Sequence, residues 1–254
     1  MKIHNKFLDK LAHGQTSILV FDCEFWHVFG HKEKGFKFVE DKPFFFIPRE
    51  IGGLVFTKKS GWTYDTDFFV TLFKPEMDVA FPISHYSTVT PNTAHALNEL
   101  EKELSLPWGE AYYSKLSKQD KIIWTNGISL YTRDPNIKKH HKSNAWLKEF
   151  LNLYSRSTVI IKGTSDIDAL KNACNYYGYT YKEPAHVVNI ADHNPLSHKI
   201  CQTAKLEGTF DCIRDDLDYD TKKLLDILPI GVSHDPTVDA SMTLIVALYF
   251  ESKK

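Results

Sequence analysis

The order of strand-like and helical segments is the feature that most constrains the fold of this chain. Three short runs rich in β-branched and aromatic residues come first, which is the pattern of buried strands. They are Ser17–Phe21, Glu50–Thr57 and Asp67–Lys74. The segment Lys58–Thr66 between the last two contains Gly61, so a turn is expected there. The three runs therefore predict an antiparallel meander.

The second half of the chain changes to alternating helical and strand-like segments. Thr158–Ile161 and His186–Ile190 read as strands, and Gly178 is expected to end the helix between them. The predicted helices are Asn144–Leu153, Asp166–Tyr177, Pro195–Leu206, Thr221–Leu228 and Pro236–Phe250. Strands followed by alternating helices and strands predict an α/β fold, with a mixed β-sheet and helices on its faces.

Composition limits the class of protein. The 254 residues include 31 Lys and Arg against 32 Asp and Glu, which argues against a binder whose whole surface is basic. There is no run of about 18 apolar residues and no signal peptide pattern, so we expect no membrane span and an intracellular protein, cytoplasmic or nuclear rather than secreted. The four cysteines lack CxxC spacing and are expected to be reduced thiols. They are Cys23, Cys174, Cys201 and Cys212.

Two acids follow the first predicted strand directly. Residues two apart on a strand face the same side, so Asp22 and Glu24 should present their carboxylates together. Like charges this close repel each other unless a cation lies between them, which is typical of a site for a hard metal ion. A solvated strand end is the alternative explanation.

A second acidic position lies at the start of the helix that follows Thr158–Ile161. Asp166 and Asp168 both compete for it. Ser165 is expected to be the N-cap, which would give Asp168 a capping role at the third helical position. Asp166, at the junction between strand and helix, is then freer to point into a cleft and is the preferred candidate.

The third element precedes the last helix. Asp235 can cap that helix, and Pro236 suits its first position, where a backbone N–H is not needed. His234 lies just outside the helix and Asp239 in its first turns, so both can reach the same point beyond the helix N-terminus. Taken alone, a His with a flanking Asp is more often structural.

Taken together, these motifs resemble the DEDD exonuclease superfamily, in its His-containing (DEDDh) branch with a ribonuclease H-like fold. The family's D-x-E, its helix-opening Asp and its H-x-A-x-x-D occur here in the same order. They are matched by Asp22 and Glu24, by Asp166, and by His234 and Asp239. Pro236 replaces the Ala of the third motif, and Arg49–Leu54 resembles the family's second strand. The resemblance implies one domain over 1–254, with an insertion or extended region at about 76–143.

The resemblance implies a metal-dependent 3′→5′ exonuclease that releases nucleoside 5′-monophosphates from RNA or single-stranded DNA. Two divalent ions, Mg²⁺ or Mn²⁺, would be held by four carboxylates, because hard cations prefer oxygen ligands. These are Asp22, Glu24, Asp166 and Asp239. His234 would be the general base, a task that suits an imidazole titrating near neutrality.

Residues beside the motifs are candidates for substrate binding. Phe25 and Trp26 follow the D-x-E motif and are expected either to stack on a terminal base or to belong to the core. Cys23 and Ser165 lie within or beside the motifs and are further candidates for substrate contact.

Charge is unevenly distributed along the chain. Lys115–Lys142 contains seven Lys and Arg against two acids and includes Trp124 and Tyr131, a composition that suits a single nucleic-acid strand or else a solvated loop. Asp211–Asp226 has six acids against three bases and is expected to be solvated. Before the basic stretch, Thr93–Leu104 reads as a helix.

Two other functions stay open at this point. One is a catalytically idle nuclease-like domain that binds nucleic acid or a protein, and the other is a ribonuclease H-type endonuclease. Preference for RNA or DNA depends on contacts to the 2′-hydroxyl, which a single sequence does not reveal. A Ser or Cys hydrolase lacks support, because no G-x-S-x-G motif occurs.

Overall fold

A computed structural model describes residues 1–29, 35–40, 44–72, 80–82, 141–142, 144–231 and 235–254. Within these ranges the strands are β1 (Lys2–Ile3), β2 (Ser17–Phe29), β3 (Phe44–Lys58), β4 (Trp62–Leu72), β5 (Ala80–Pro82), β6 (His141–Lys142), β7 (Thr158–Ile161) and β8 (His186–Asn189). The α-helices are α1 (Lys6–Leu11), α2 (Asn144–Ser155), α3 (Ser165–Tyr177), α4 (Asn194–Cys201), α5 (Leu206–Ile213), α6 (Tyr219–Leu224) and α7 (Pro236–Ser252). Two short 3₁₀ helices cover Ile190–His193 and Arg214–Asp216.

The strands form one mixed sheet in the order β1-β4-β3-β2-β7-β8. The long strands β2, β3 and β4 pair antiparallel in sequence order, which confirms the predicted meander. β7 joins β2 in parallel, and β8 joins β7 in parallel. β5 pairs with β2, and β6 pairs with β4. The predicted α/β class with a mixed sheet is therefore confirmed.

Helices cover both faces of the sheet, because side chains alternate between two cores along β2. Ile18 and Val20 pack into a core that α1, α5 and α7 complete. Leu19 and Phe21 pack into a second core with α2 and α3. α7 is buried on nearly every side, as expected for a helix that is apolar all round.

Several element boundaries differ from those predicted. The helix expected over Pro195–Leu206 ends at Cys201, and a new helix, α5, begins at Leu206. The helix expected over Thr221–Leu228 ends at Leu224. The acidic segment Asp211–Asp226 is not merely solvated, because Ile213, Leu217 and Leu224 are buried in the first core while most of its charges stay outside.

The expectation of four reduced thiols is wrong for two of them. Cys201, at the end of α4, forms a disulfide with Cys212 in α5, and their Cα atoms are 5.7 Å apart. The turn between two short helices brings the pair together, which the spacing of the cysteines along the chain did not indicate. Cys23 and Cys174 are free and buried. The intracellular location stays a prediction.

Other sequence predictions fall outside the described residues. These include the helix over Thr93–Leu104 and nearly all of the basic stretch Lys115–Lys142. The expected insertion at about 76–143 is described only at β5 and β6, so the domain organisation also stays a prediction. No helix in the described part of the chain is long and apolar enough to span a membrane.

Candidate functional site

Asp22 and Glu24 lie inside a long strand rather than at its end. β2 continues to Phe29, and its register with β3 places Asp22 opposite Gly52 and Glu24 opposite Glu50. Alternation along the strand puts both carboxylates on the face that α7 covers. Glu24 is buried, whereas Asp22 is partly exposed.

Gly52 allows the N-terminus of α7 to lie directly over β3 beside Asp22. A Cβ atom at Gly52 would be 2.3 Å from the backbone nitrogen of Thr237, a distance that packed atoms do not tolerate. The Thr237 hydroxyl donates a hydrogen bond to the carbonyl of Phe68 on β4 at 3.1 Å. The start of α7 is thus fixed across two strands, and Gly52 is a site residue whose individual role the sequence did not reveal.

Asp235 and Asp239 enter the site with α7. The Asp235 carboxylate caps the helix by accepting the N–H of Thr237 at 2.9 Å and that of Val238 at 3.3 Å, and Pro236 occupies the first turn, as predicted. Asp239 lies in the same first turn and is half-buried. His234 lies outside the described residues, so its expected role as general base stays a prediction.

Asp166 approaches the D-x-E motif from the opposite core. It lies in the first turn of α3 and is buried, and its Oδ1 accepts the backbone N–H of Cys23 at 2.9 Å. Asp168 is half-buried, and its N–H donates to the Thr164 carbonyl at 3.0 Å. Of the two candidate aspartates, the structure therefore places Asp166 next to β2.

The start of α3 differs from the predicted capping arrangement. Thr164, not Ser165, occupies the N-cap position, and its side chain makes no capping hydrogen bond. Ser165 is the first helical residue and is exposed, so the expected capping pair with Asp168 does not form. Gly163 precedes the cap with a φ of 89°, a left-handed turn that glycine adopts without strain.

Electrostatics show that the acids from the three segments lie within reach of one another. Burial raises the pKa of Asp22 well above its ordinary range, and repulsion from other acids raises it further. In decreasing order these are Asp166, Asp239, Glu24 and Asp235. Five carboxyl groups from β2, α3 and the start of α7 thus share one region, and ionising all of them would destabilise the folded protein.

Glu24 and Asp166 resist ionisation for related reasons. Burial raises the pKa of Glu24 to about 8, with Arg49 opposing the rise and Glu50 adding to it. Burial also raises the pKa of Asp166 to about 7, and the hydrogen bond from the Cys23 N–H limits that rise. Near neutral pH, Glu24 therefore stays mostly protonated and Asp166 is only partly ionised, unless a cation compensates their charge.

Basic groups border this acidic region on two sides. Arg49 on β3 is fully buried and donates from Nη2 to the Glu50 carboxylate at 3.0 Å. Lys162 follows β7, and its ammonium donates to the carbonyl of Ala204. Burial lowers the pKa of Lys162, whereas the negative charge of Asp239 opposes that shift, so Lys162 lies near the acids.

The residues predicted to bind substrate differ in how far they are exposed. Phe25 is half-buried and stacks on Phe46 with ring centroids 4.5 Å apart. Trp26 is 0 % exposed and packs in the second core, which agrees with the core alternative and leaves its ring no face for a base. The pairing of β2 with β3 shifts register after Glu24, so alternation no longer follows the pattern of the preceding residues. Cys23 is buried and offers the site its backbone N–H.

The donor chemistry of the acids fits a hard divalent cation. Carboxylate oxygens are the ligands that Mg²⁺ and Mn²⁺ prefer, and a +2 ion would relieve the repulsion that holds these pKa values high. As the side chains stand, no three His, Cys, Asp or Glu residues in the described ranges have the arrangement of a formed metal-ligand set. The acids are therefore gathered in one region without the short spacing of a bound site.

Comparisons with known proteins assign the chain to no family. No family model matches it, and the search of curated proteins finds no match. What the fold and the site define is a class: an α/β protein with a mixed sheet, in which acids from three distant segments meet at the centre of the sheet.

Proposed function

We propose that this protein is a metal-dependent 3′→5′ exonuclease of the DEDD superfamily, in its His-containing branch. The observation that carries the proposal is the convergence of three distant parts of the sequence. Asp166 accepts the N–H of Cys23 beside Asp22, and the first turn of α7, which holds Asp239, lies against the strand residue opposite Asp22. The three sequence motifs select these same acids. The mixed sheet with helices on both faces is also what a ribonuclease H-like fold requires.

Four carboxylates would hold two Mg²⁺ or Mn²⁺ ions in this proposal. They are Asp22, Glu24, Asp166 and Asp239. The bound ions would supply an activated water and would stabilise charge on the attacking and leaving oxygens. The chain contributes rigidity: β2 fixes the first two acids, the Cys23 N–H orients Asp166, and the capped first turn of α7 holds Asp239.

His234 would act as the general base and accept the proton of the attacking water. It precedes the N-cap residue Asp235 by one position in the sequence. Phe25 and Ser165, which are not fully buried, remain candidates for contact with the 3′-terminal nucleotide. The nucleic-acid partner is proposed as a single-stranded 3′ end of RNA or DNA.

Degradation of end-labelled single strands tests the proposal. Purified protein is incubated with RNA or DNA, with Mg²⁺, Mn²⁺ or EDTA, and the products are separated by size. We expect metal-dependent release of nucleoside 5′-monophosphates, abolished in Asp22→Ala and Asp239→Asn and reduced on the order of 10²-fold or more in His234→Ala. Metal-independent hydrolysis, or full activity in both Asp variants, would refute it.

Two comparisons separate the alternatives. Circular single strands stay intact with an exonuclease and are cut by a ribonuclease H-type endonuclease, whereas an idle binding domain degrades neither form. Asp166→Ala should abolish activity, whereas the matched variant Asp168→Ala should retain it with at most a loss of stability. The reverse result would show that Asp168 is the second-motif ligand.

A further inference from the structure

Arg49 occupies an irregular position in β3 next to the acidic region. The pairing with β2 runs from Glu24 opposite Glu50 to Phe25 opposite Pro48, so Arg49 is the extra residue of a β-bulge. In a regular strand, neighbouring side chains point to opposite faces. Here Arg49 instead donates from Nη2 to the carboxylate of its neighbour Glu50 at 3.0 Å.

The charges around this bulge are deeply buried. Exposure is 1 % for Arg49, 3 % for Glu50 and 7 % for Glu24. Glu24 and Glu50 are directly opposite residues on neighbouring strands, so two carboxylates lie beside one guanidinium. Burying an ion pair costs several kcal/mol per ion before the attraction is counted, and apolar residues of similar volume often serve stability as well. Stability alone therefore gives little reason for this arrangement.

The strand register places the cation beside both acids. Arg49 is paired with Glu50 at 3.0 Å, and Glu50 lies directly opposite Glu24, so the two carboxylates leave the sheet on the same face next to one guanidinium. A guanidinium remains charged at any physiological pH and presents its donors in one rigid plane. Because Glu50 holds the plane of the Arg49 guanidinium, the positive charge next to Glu24 has a fixed position.

We propose that Arg49, held by Glu50, is a positioning residue that keeps the Glu24 carboxylate oriented for a divalent cation. This inference rests on the proposed function, because it assigns Glu24 to metal binding. Groups that orient a metal ligand without touching the metal typically change its affinity 10- to 100-fold, roughly, when they are removed. Arg49 is such a group in this site.

Calorimetric titration of the full chain with Mn²⁺, without nucleic acid, tests the inference. We expect Arg49→Met to weaken Mn²⁺ binding by about tenfold or more, and Arg49→Lys, which retains the charge but not the planar fork, to recover part of that loss. Thr221→Val is the control for a merely structural effect, because it removes the buried hydrogen bond from Asn5 to α6, away from these acids. It should lower thermal stability and leave the Mn²⁺ affinity unchanged.

A second variant covers the case in which Arg49→Met fails to fold. Arg49→Met combined with Glu50→Gln removes both members of the ion pair, so no carboxylate is left without its cation at that position. We expect it to fold and still to bind Mn²⁺ about tenfold or more weakly. Wild-type affinity in either folded variant would overturn the positioning role. A wild-type protein that binds no Mn²⁺ would instead refute the proposed function itself.

Discussion

The high pKa of Glu24 predicts how the stability of the metal-free protein changes with pH. Burial raises this pKa from an ordinary 4.5 to about 8 in the folded chain. A folded-state pKa above the unfolded value means that the folded protein binds the proton more tightly. The resulting stabilisation is fully present below pH 4.5 and is lost as the pH rises toward 8.

The size of this loss follows from the two pKa values. Because the folded protein binds the Glu24 proton more tightly, the free energy of unfolding falls by about 1.4 kcal/mol per pH unit between the unfolded and the folded pKa. From pH 5 to pH 8, the loss due to Glu24 amounts to about 3 to 4 kcal/mol. Glu24→Gln removes the titrating group, so this part of the pH dependence should disappear while the contributions of Asp22 and Asp166, which have the same sign, remain.

Urea denaturation in EDTA at pH 5, 6, 7 and 8 measures the difference. The free energy of unfolding should fall more steeply for the wild type than for Glu24→Gln, and the two curves should diverge by about 3 to 4 kcal/mol at pH 8 after alignment at pH 5. Histidines and other groups that titrate in the same range contribute equally to the pH dependence of both proteins, so their contributions cancel in the comparison. If the two curves are parallel, ionising Glu24 does not destabilise the folded protein, and the reasoning is refuted.

Three further predictions concern packing, cross-linking and metal. Gly52→Ala should destabilise the fold by about 1–3 kcal/mol in urea denaturation, because α7 must move away from β3. The control Gly61→Ala, whose Cβ meets nothing within 4 Å, should not destabilise it. Equal effects of the two substitutions would contradict the close contact between Gly52 and α7. Cys201→Ser, which opens a disulfide of sequence separation 11, should cost about 2–3 kcal/mol under oxidising conditions and nothing in reductant. Mn²⁺ at pH 8 should raise the melting temperature of the wild type but not that of Asp22→Asn, and EDTA should reverse the rise.

Local patterns in the sequence anticipated most of the regular elements. Short runs rich in β-branched and aromatic residues identified the strands of the meander, and Gly178, now seen in the left-handed conformation, marked the end of α3. The cap and proline before α7 also appear where expected. Such signals succeed because they depend on residues within about one helical turn or strand repeat of each other. The short helices α1 and α5 were missed, since each carries only a few apolar positions.

What the sequence determined by itself is the set and order of the candidate acids, together with the elements that carry Asp22, Asp166 and Asp239. What only the tertiary structure decided is how those elements meet. The register shift after Glu24 and the approach of α7 to Gly52 depend on contacts between distant segments. So does the burial of Arg49 beside Glu24. Periodicity fixes which face a residue occupies, but packing and strand register fix what lies opposite that face.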